Sequence, residues 1–408
     1  MPSSHTISHI IWSCLFLLLV LLPGTQTIWG YIPERQTSGV ENRAPLSTPN
    51  FETFSDGSFQ RQFENWLSKN IGLRGSLVRT DNQINFSLFN QFSSNSRFQV
   101  ILGKDHYLFE RGYVSSYVHS IAMTNKRLKT TVRQLKRLQE ELQLRHKGFL
   151  LLISPSKAAL YEEYLPEQYR RRRRPGPTTF DLLMPLLPAE SVNVLDGVSM
   201  ARTLKTQGHP VFSRGSTHWT FSSACVVAAE VMRRFESQTG AHYPAMPCSP
   251  APISDVPWSQ DNDLSGLSNL WSINAFNQPL PYPEVSPSRD SLTTLPTVFS
   301  VGSSFMWSIL YYLDAYHAYG SRDFFYYFKT KHSFPSNKKA VVDPRTFDWE
   351  KEVFSKDLVL IEINQYSLED LGFGFVQGAL RYLKQQKTAL TPGNTHQKPR
   401  RRKSKKRT

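Results

Sequence analysis

Four short, mostly apolar runs constrain this fold more than any other feature of the chain: Phe149–Ile153, Val192–Leu195, Thr297–Val301 and Leu358–Ile361. Each is too short for a buried helix and lacks the alternation of a half-exposed strand, so each reads as a strand buried on both faces of a parallel sheet. Helical stretches lie between most of them. Phe221–Phe235 and Phe305–His317 are two, and Asn125–Lys147 places Leu128, Val132, Leu135, Leu138 and Leu142 on one stripe, with Gly148 expected to cap it. Strand and helix alternation predicts an α/β fold: a doubly wound, mostly parallel sheet with helices on both faces and its functional groups at the carboxyl ends of the strands. Ahead of this region, Phe59, Phe63, Trp66 and Leu67 have helical spacing. Two β-type runs flanking Gly103–His106 predict a hairpin. Hydrophobic residues make up 39% of the chain, enough for a large core and too many for a disordered or fibrous protein.

The two ends set the compartment. Ile10–Leu22 is an apolar run ending in Pro23-Gly24, short for a relaxed membrane span and suited to a secretory signal peptide; an uncleaved signal anchor is the alternative. Residues 1–30 are assigned to this leader, 31–58 to a tether, 59–385 to the folded domain and 386–408 to a basic, disordered tail. The rest of the chain is thus expected outside the cytoplasm, periplasmic or otherwise extracytoplasmic, with the membrane as a partner through the leader. Cys225 and Cys248 can form a single bridge there, while a buried unpaired Cys225 is an equally good reading. The formal charge of +15 invites a nucleic-acid reading, but Arg170–Arg174 and the eight basic residues from Lys398 to Arg407 leave only +2 for everything else. A nearly neutral body predicts no nucleic-acid partner. Arg170–Arg174 reads either as an electropositive rim for an anionic polymer or as an exposed loop. No cysteine spacing suggests zinc, so neither a metal nor a cofactor is expected.

Two polar turns at predicted strand and helix ends carry the chemistry. Thr297–Val301 runs through Gly302-Ser303-Ser304-Phe305 into a helix, which presents Ser304 as a nucleophile, with backbone N–H groups able to hold a developing oxyanion. A serine needs a base within hydrogen-bond reach. Of the eleven histidines, His218 in Arg214-Gly215-Ser216-Thr217-His218-Trp219 is the best placed, at the start of an apolar helix. Taken alone, the Gly-Ser-Ser turn reads first as ordinary helix capping, and His218 is also consistent with a buried histidine satisfied by backbone.

Several ordered motifs resemble the alginate O-acetyltransferases of the AlgJ and AlgX type. They are Glu41-Asn42-Arg43, Phe63-x-x-Trp66 with Ile71-Gly72-Leu73-Arg74, Leu102-Gly103-Lys104-Asp105-x-Tyr107-Leu108-Phe109, Ser154-Pro155-Ser156-Lys157 with Tyr161-x-x-Tyr164-Leu165-Pro166, and Asp263-Leu264. As in that family, the histidine motif precedes the serine motif. The resemblance implies an SGNH-hydrolase-like (flavodoxin-like) fold and a ping-pong O-acetyltransferase. Ser304 would be the acyl-accepting nucleophile and His218 the general base. A membrane-bound O-acyltransferase partner would donate acetyl, and an alginate-like exopolysaccharide would accept it on its hydroxyls. The family's aspartate two residues before the histidine is here Ser216, expected as a neutral orienter, with Glu362 as a substitute carboxylate. Ser303 and Tyr366 are expected at the oxyanion or substrate site. Without that aspartate, a catalytically impaired relative that binds polysaccharide or scaffolds an export complex is the alternative; a secreted carbohydrate esterase is a third reading.

Overall fold

The computed structural model describes residues 4–39, 45–46, 48–92, 99–285 and 295–390. Helix α1 (Ser4–Trp29) does not stop at Pro23-Gly24: Ile7–Trp29 is a continuous apolar helix of 23 residues, long enough by length and composition to cross a membrane. α2 (Phe51–Ser55), α3 (Ser58–Asn70) and α4 (Arg74–Phe89) follow, so the region expected as a tether contains a helix of its own. The expected hairpin forms as β1 (Val100–Leu102) and β2 (Leu108–Glu110), paired antiparallel. α5 (Arg111–His119) and α6 (Asn125–Gln143) lead to β3 (Gly148–Ser154). Gly148 opens this strand and does not cap the helix; His146, at φ +57°, makes the left-handed turn.

The connection from β3 carries α7 (Lys157–Leu160), α8 (Glu167–Arg172), α9 (Thr179–Leu183) and α10 (Leu186–Ala189) before β4 (Val194–Asp196). Then come α11 (Gly197–Thr206) and α12 (Phe221–Thr239), a small ribbon of β5 (Ile253–Ser254) with β6 (Leu280–Pro281), and between its strands α13 (Asp263–Leu267). The rest runs β7 (Thr297–Gly302), α14 (Met306–Ala315), β8 (Ser321–Tyr326), β9 (Thr330–Phe334), β10 (Lys339–Val341), β11 (Leu358–Asn364) and α15 (Phe375–Leu390). The residues of the expected tail that precede Thr391 therefore belong to a helix, and those from Thr391 lie outside the described residues, as does Glu41-Asn42-Arg43.

The central sheet has seven strands in the order β10-β9-β8-β7-β11-β3-β4. Its β8-β7-β11-β3-β4 part is parallel, and β9 and β10 add an antiparallel edge. All four apolar runs became parallel strands. Their two faces are read by alternation: Leu150 and Leu152 of β3 join the core beneath α12 and α14, while Phe149, Leu151 and Ile153 join the core beneath α6 and α15. β8 escaped the sequence pattern because its Arg322 and Asp323 are charged yet buried. Arg322 pairs with Asp314 at 2.6 Å, and Asp323 with Lys356 at 2.8 Å. Cys225 and Cys248 are joined in a disulfide, which ties α12 to the loop that follows it.

Candidate active site

Ser304 stands just past the carboxyl end of β7, before α14. Glycine is required at Gly302, where a Cβ would come within 2.7 Å of Met306 Cγ and 2.9 Å of Glu362 Oε2. The turn is fastened from below. Buried Glu362 of β11 accepts from the Ser303 N–H at 2.7 Å, from Ser303 Oγ at 2.8 Å and from Ser154 Oγ at 2.5 Å, and burial pushes its carboxyl pKa up. Ser303 and Glu362 thus hold the Ser304 turn together; Glu362 is not the carboxylate beside the imidazole. Among the described residues, no backbone or side-chain acceptor takes the Ser304 N–H, which leaves it available to an oxyanion.

His218 meets Ser304 from the turn before α12, with Nε2 2.8 Å from Ser304 Oγ. On its far side, Asp263 Oδ2 lies 2.8 Å from Nδ1. That approach is oblique to the ring N–H, an ion-pair contact without a straight hydrogen bond. Such bonds are often misaligned in the free protein and tighten as the imidazolium forms. A carboxylate at Nδ1 keeps the proton there and leaves Nε2 to accept from the serine hydroxyl. Asp263 is itself oriented, its Oδ1 accepting from the N–H groups of Thr217 and Leu264, both at 2.9 Å.

Ser216 does not reach the imidazole ring. Its Oγ accepts from the His218 N–H at 2.8 Å and donates to the His218 carbonyl at 2.9 Å, closing the backbone turn. The place expected for Ser216, beside Nδ1, is held by Asp263 from α13. The Asp263-Leu264 pair that carried part of the family resemblance was the signal for this.

The histidine turn is pinned from three sides. The fully buried Lys157 ammonium donates to the carbonyls of Ser213 (2.6 Å), Arg214 (3.0 Å) and Ser216 (2.6 Å), and burial lowers its pKa. The Leu108 N–H of β2 binds the Arg214 carbonyl at 2.8 Å, and Leu264 N–H the Gly215 carbonyl at 2.9 Å. Trp219 joins the two halves of the site, its indole N–H lying 3.1 Å from the Phe305 carbonyl and 3.0 Å from Ser308 Oγ. Around the opening, the Tyr326 phenol is a hydrogen-bond neighbour of Ser304 and is pushed up to about 12, chiefly by burial. Gln260 reaches the Ser304 carbonyl at 3.4 Å, and Glu110, raised by burial, accepts from Thr217 Oγ1 at 3.2 Å. None of Lys157, Tyr326, Gln260 or Glu110 was expected at the site.

Tyr366 is not joined to Ser304 by any hydrogen bond among the described residues. Its phenol lies among Arg173, Tyr117, Asp181 and Glu162, and it lines a separate cavity of about 350 Å³ with Ser115, His119 and Thr179. The arginine run divides: Arg170 and Arg171 pair with Glu167, and Arg173 pairs with Glu162 at 3.6 Å and covers the Tyr117 ring.

A serine, an imidazole and a carboxylate stand together at the carboxyl edge of the parallel sheet of an SGNH-hydrolase-like domain, an arrangement able to do acyl chemistry. Residues 100–300 match the family model described as the SGNH hydrolase-like domain of acetyltransferase AlgX. Similar solved structures include the O-acetyltransferase domain of Pseudomonas putida AlgJ (17% identity, 66% of this chain and 92% of that one, TM-score 0.40). Pseudomonas aeruginosa AlgX (12%, 68% and 67%, TM-score 0.41) and Bacillus cereus PatB1 (9%, 67% and 99%, TM-score 0.40) are others. No curated protein is significantly similar to the chain.

Proposed function

We propose that this protein is an extracytoplasmic O-acetyltransferase that moves acetyl groups onto hydroxyls of an alginate-like exopolysaccharide through an acyl-enzyme on Ser304. The observation that supports this reading is the set of two contacts on one imidazole, Ser304 Oγ to His218 Nε2 and His218 Nδ1 to Asp263 Oδ2, both 2.8 Å. Ser304 Oγ attacks the acetyl carbonyl and its proton passes to His218 Nε2. The Ser304 N–H stabilises the resulting oxyanion, and Asp263 the imidazolium. Collapse of the intermediate breaks the bond to the donor's leaving group, which takes the proton from His218, and leaves an acetyl ester on Ser304. A sugar hydroxyl then attacks that ester while His218 accepts its proton and returns it to Ser304 Oγ. A membrane-bound acyl-donating partner suits a chain whose α1 can cross a membrane, and the Cys225–Cys248 disulfide suits an oxidising compartment.

The reading as a silent scaffold drew its support from a missing carboxylate, and Asp263 at Nδ1 removes that support. Transfer and hydrolysis share the acyl-enzyme and differ in the acceptor. The test is to incubate the detergent-solubilised protein with a chromogenic acetyl ester, with and without polyuronate oligosaccharides, and to weigh the sugars by mass spectrometry. Acetylated oligosaccharide from wild type and none from Ser304→Ala is the expected outcome; ester turnover with unmodified sugar would make the protein an esterase.

A further inference from the structure

We infer that residues 30–38 form a strap that ties the end of α1 to the Asp263-bearing segment and positions that carboxylate, an inference that rests on the triad proposed above. The strap starts where α1 docks on the α3–α4 turn. Gln26, only 5% exposed, clasps Ile32 in both directions, Nε2 to the carbonyl at 2.7 Å and Oε1 from the N–H at 3.0 Å. Thr27 Oγ1 accepts from the Gly72 N–H at 2.7 Å, and Glu34 takes the Leu73 N–H. Buried Arg79 then grips the next two carbonyls, Arg35 at 2.7 Å and Gln36 at 2.5 Å. Gly75 permits this close approach, since a Cβ there would collide with the Arg35 carbonyl.

The strap ends on Asn269. The Ser38 N–H donates to Asn269 Oδ1 at 2.7 Å, and Asn269 Nδ2 returns a bond to the Ser38 carbonyl at 3.1 Å. Asn269 sits two residues beyond α13, whose first residue is Asp263, and buried Asn82 of α4 holds the Ser268 carbonyl at 3.0 Å. An aspartate two residues before the histidine would be positioned by the histidine's own turn. Asp263 arrives on a different segment, and that segment is fastened to Ser38, 231 residues from Asn269 in sequence. Asn269 is therefore a positioning residue acting through Asp263.

The test uses the full-length protein in detergent, following acetylation of Ser304 by intact mass. Asn269 has φ +48°, so Asn269→Gly keeps its backbone conformation and removes the side-chain clasp on Ser38 together with the local bond from Nδ2 to the Leu267 carbonyl. Ser38→Pro removes the opposing N–H as a second, independent variant, and melting curves verify that each is folded. Both variants are expected to slow acylation about tenfold or more at unchanged half-saturating ester, as small misplacements of catalytic groups do. In an Asp263→Asn background, each should change the rate less than twofold. Full activity in the single variants, or an equal loss in both backgrounds, overturns the strap's role and leaves the triad standing. Undiminished acetylation in Ser304→Ala would overturn the triad and the strap together.

Discussion

Ser216 and Asp263 divide work that a single aspartate would do two residues before the histidine. Ser216 closes the turn through the His218 backbone, and Asp263 addresses the ring. Asp263→Asn is therefore expected to lower Ser304 acylation on the order of 10⁴-fold, the scale seen when a serine-hydrolase acid is made neutral. Ser216→Ala should cost about 1 kcal/mol of stability and far less rate; stopped-flow acylation of the two variants, measured side by side, separates the roles. His218 and Ser304 could be singled out in sequence because one precedes a recognisable helix and the other follows a recognisable strand. The acid was not, because it arrives from 46 residues beyond Thr217 in a segment without periodicity, and only the fold sets it beside Nδ1. Asp261, two residues away, is fully buried and pushed up to about 7, mainly by desolvation. Its folded value lies above its ordinary 3.8, so between about pH 4 and pH 7 the folded chain keeps a proton that the unfolded chain has released. Stability falls as pH rises through that window, by roughly 4 kcal/mol at most, and then levels off. Asp261→Asn should flatten that slope and raise the melting temperature at pH 8, read by calorimetry across the pH range.

At the scale of elements, the site is two turns locked against each other, and Lys157 is the lock for one of them. Its ammonium has the carbonyls of Ser213, Arg214 and Ser216 for company and the rings of Tyr107 and Phe109 near by, at 5.4 and 5.3 Å. Removing it strands the carbonyls of Ser213 and Ser216, that of Arg214 keeping the Leu108 N–H, so Lys157→Met is expected to lower stability by about 3 kcal/mol and to slow acylation. A urea midpoint that rises in this variant would show the buried charge to be a net cost. The motif residues Ser154-Pro155-Ser156-Lys157 and Leu102–Phe109, separate in sequence, prove to be neighbours around this one turn. The elements that escaped the sequence were those in which polar residues occupy strands: β8 with Arg322 and Asp323 buried in pairs, and β10, whose residues are exposed and belong to an edge.

For the whole molecule, four of the five parallel strands were legible because burial on both faces leaves few polar positions in a strand; β8, with its buried Arg322 and Asp323, is the exception. The antiparallel edge relaxes that demand, and the polar segment from Tyr31 disguised its attachment, because backbone carbonyls and N–H groups do the holding and carry no sequence signal. What binds the parts together is one claim, that Ser304 is a nucleophile driven by His218 and Asp263. The most direct measurement exposes the full-length protein to an activated acetyl ester and maps the mass increment by peptide sequencing. The account predicts a single acetyl on Ser304 in wild type, none there in Ser304→Ala and strongly slowed acetylation in Asp263→Asn. Acetylation of wild type at another residue, or an unslowed Asp263→Asn, would contradict it.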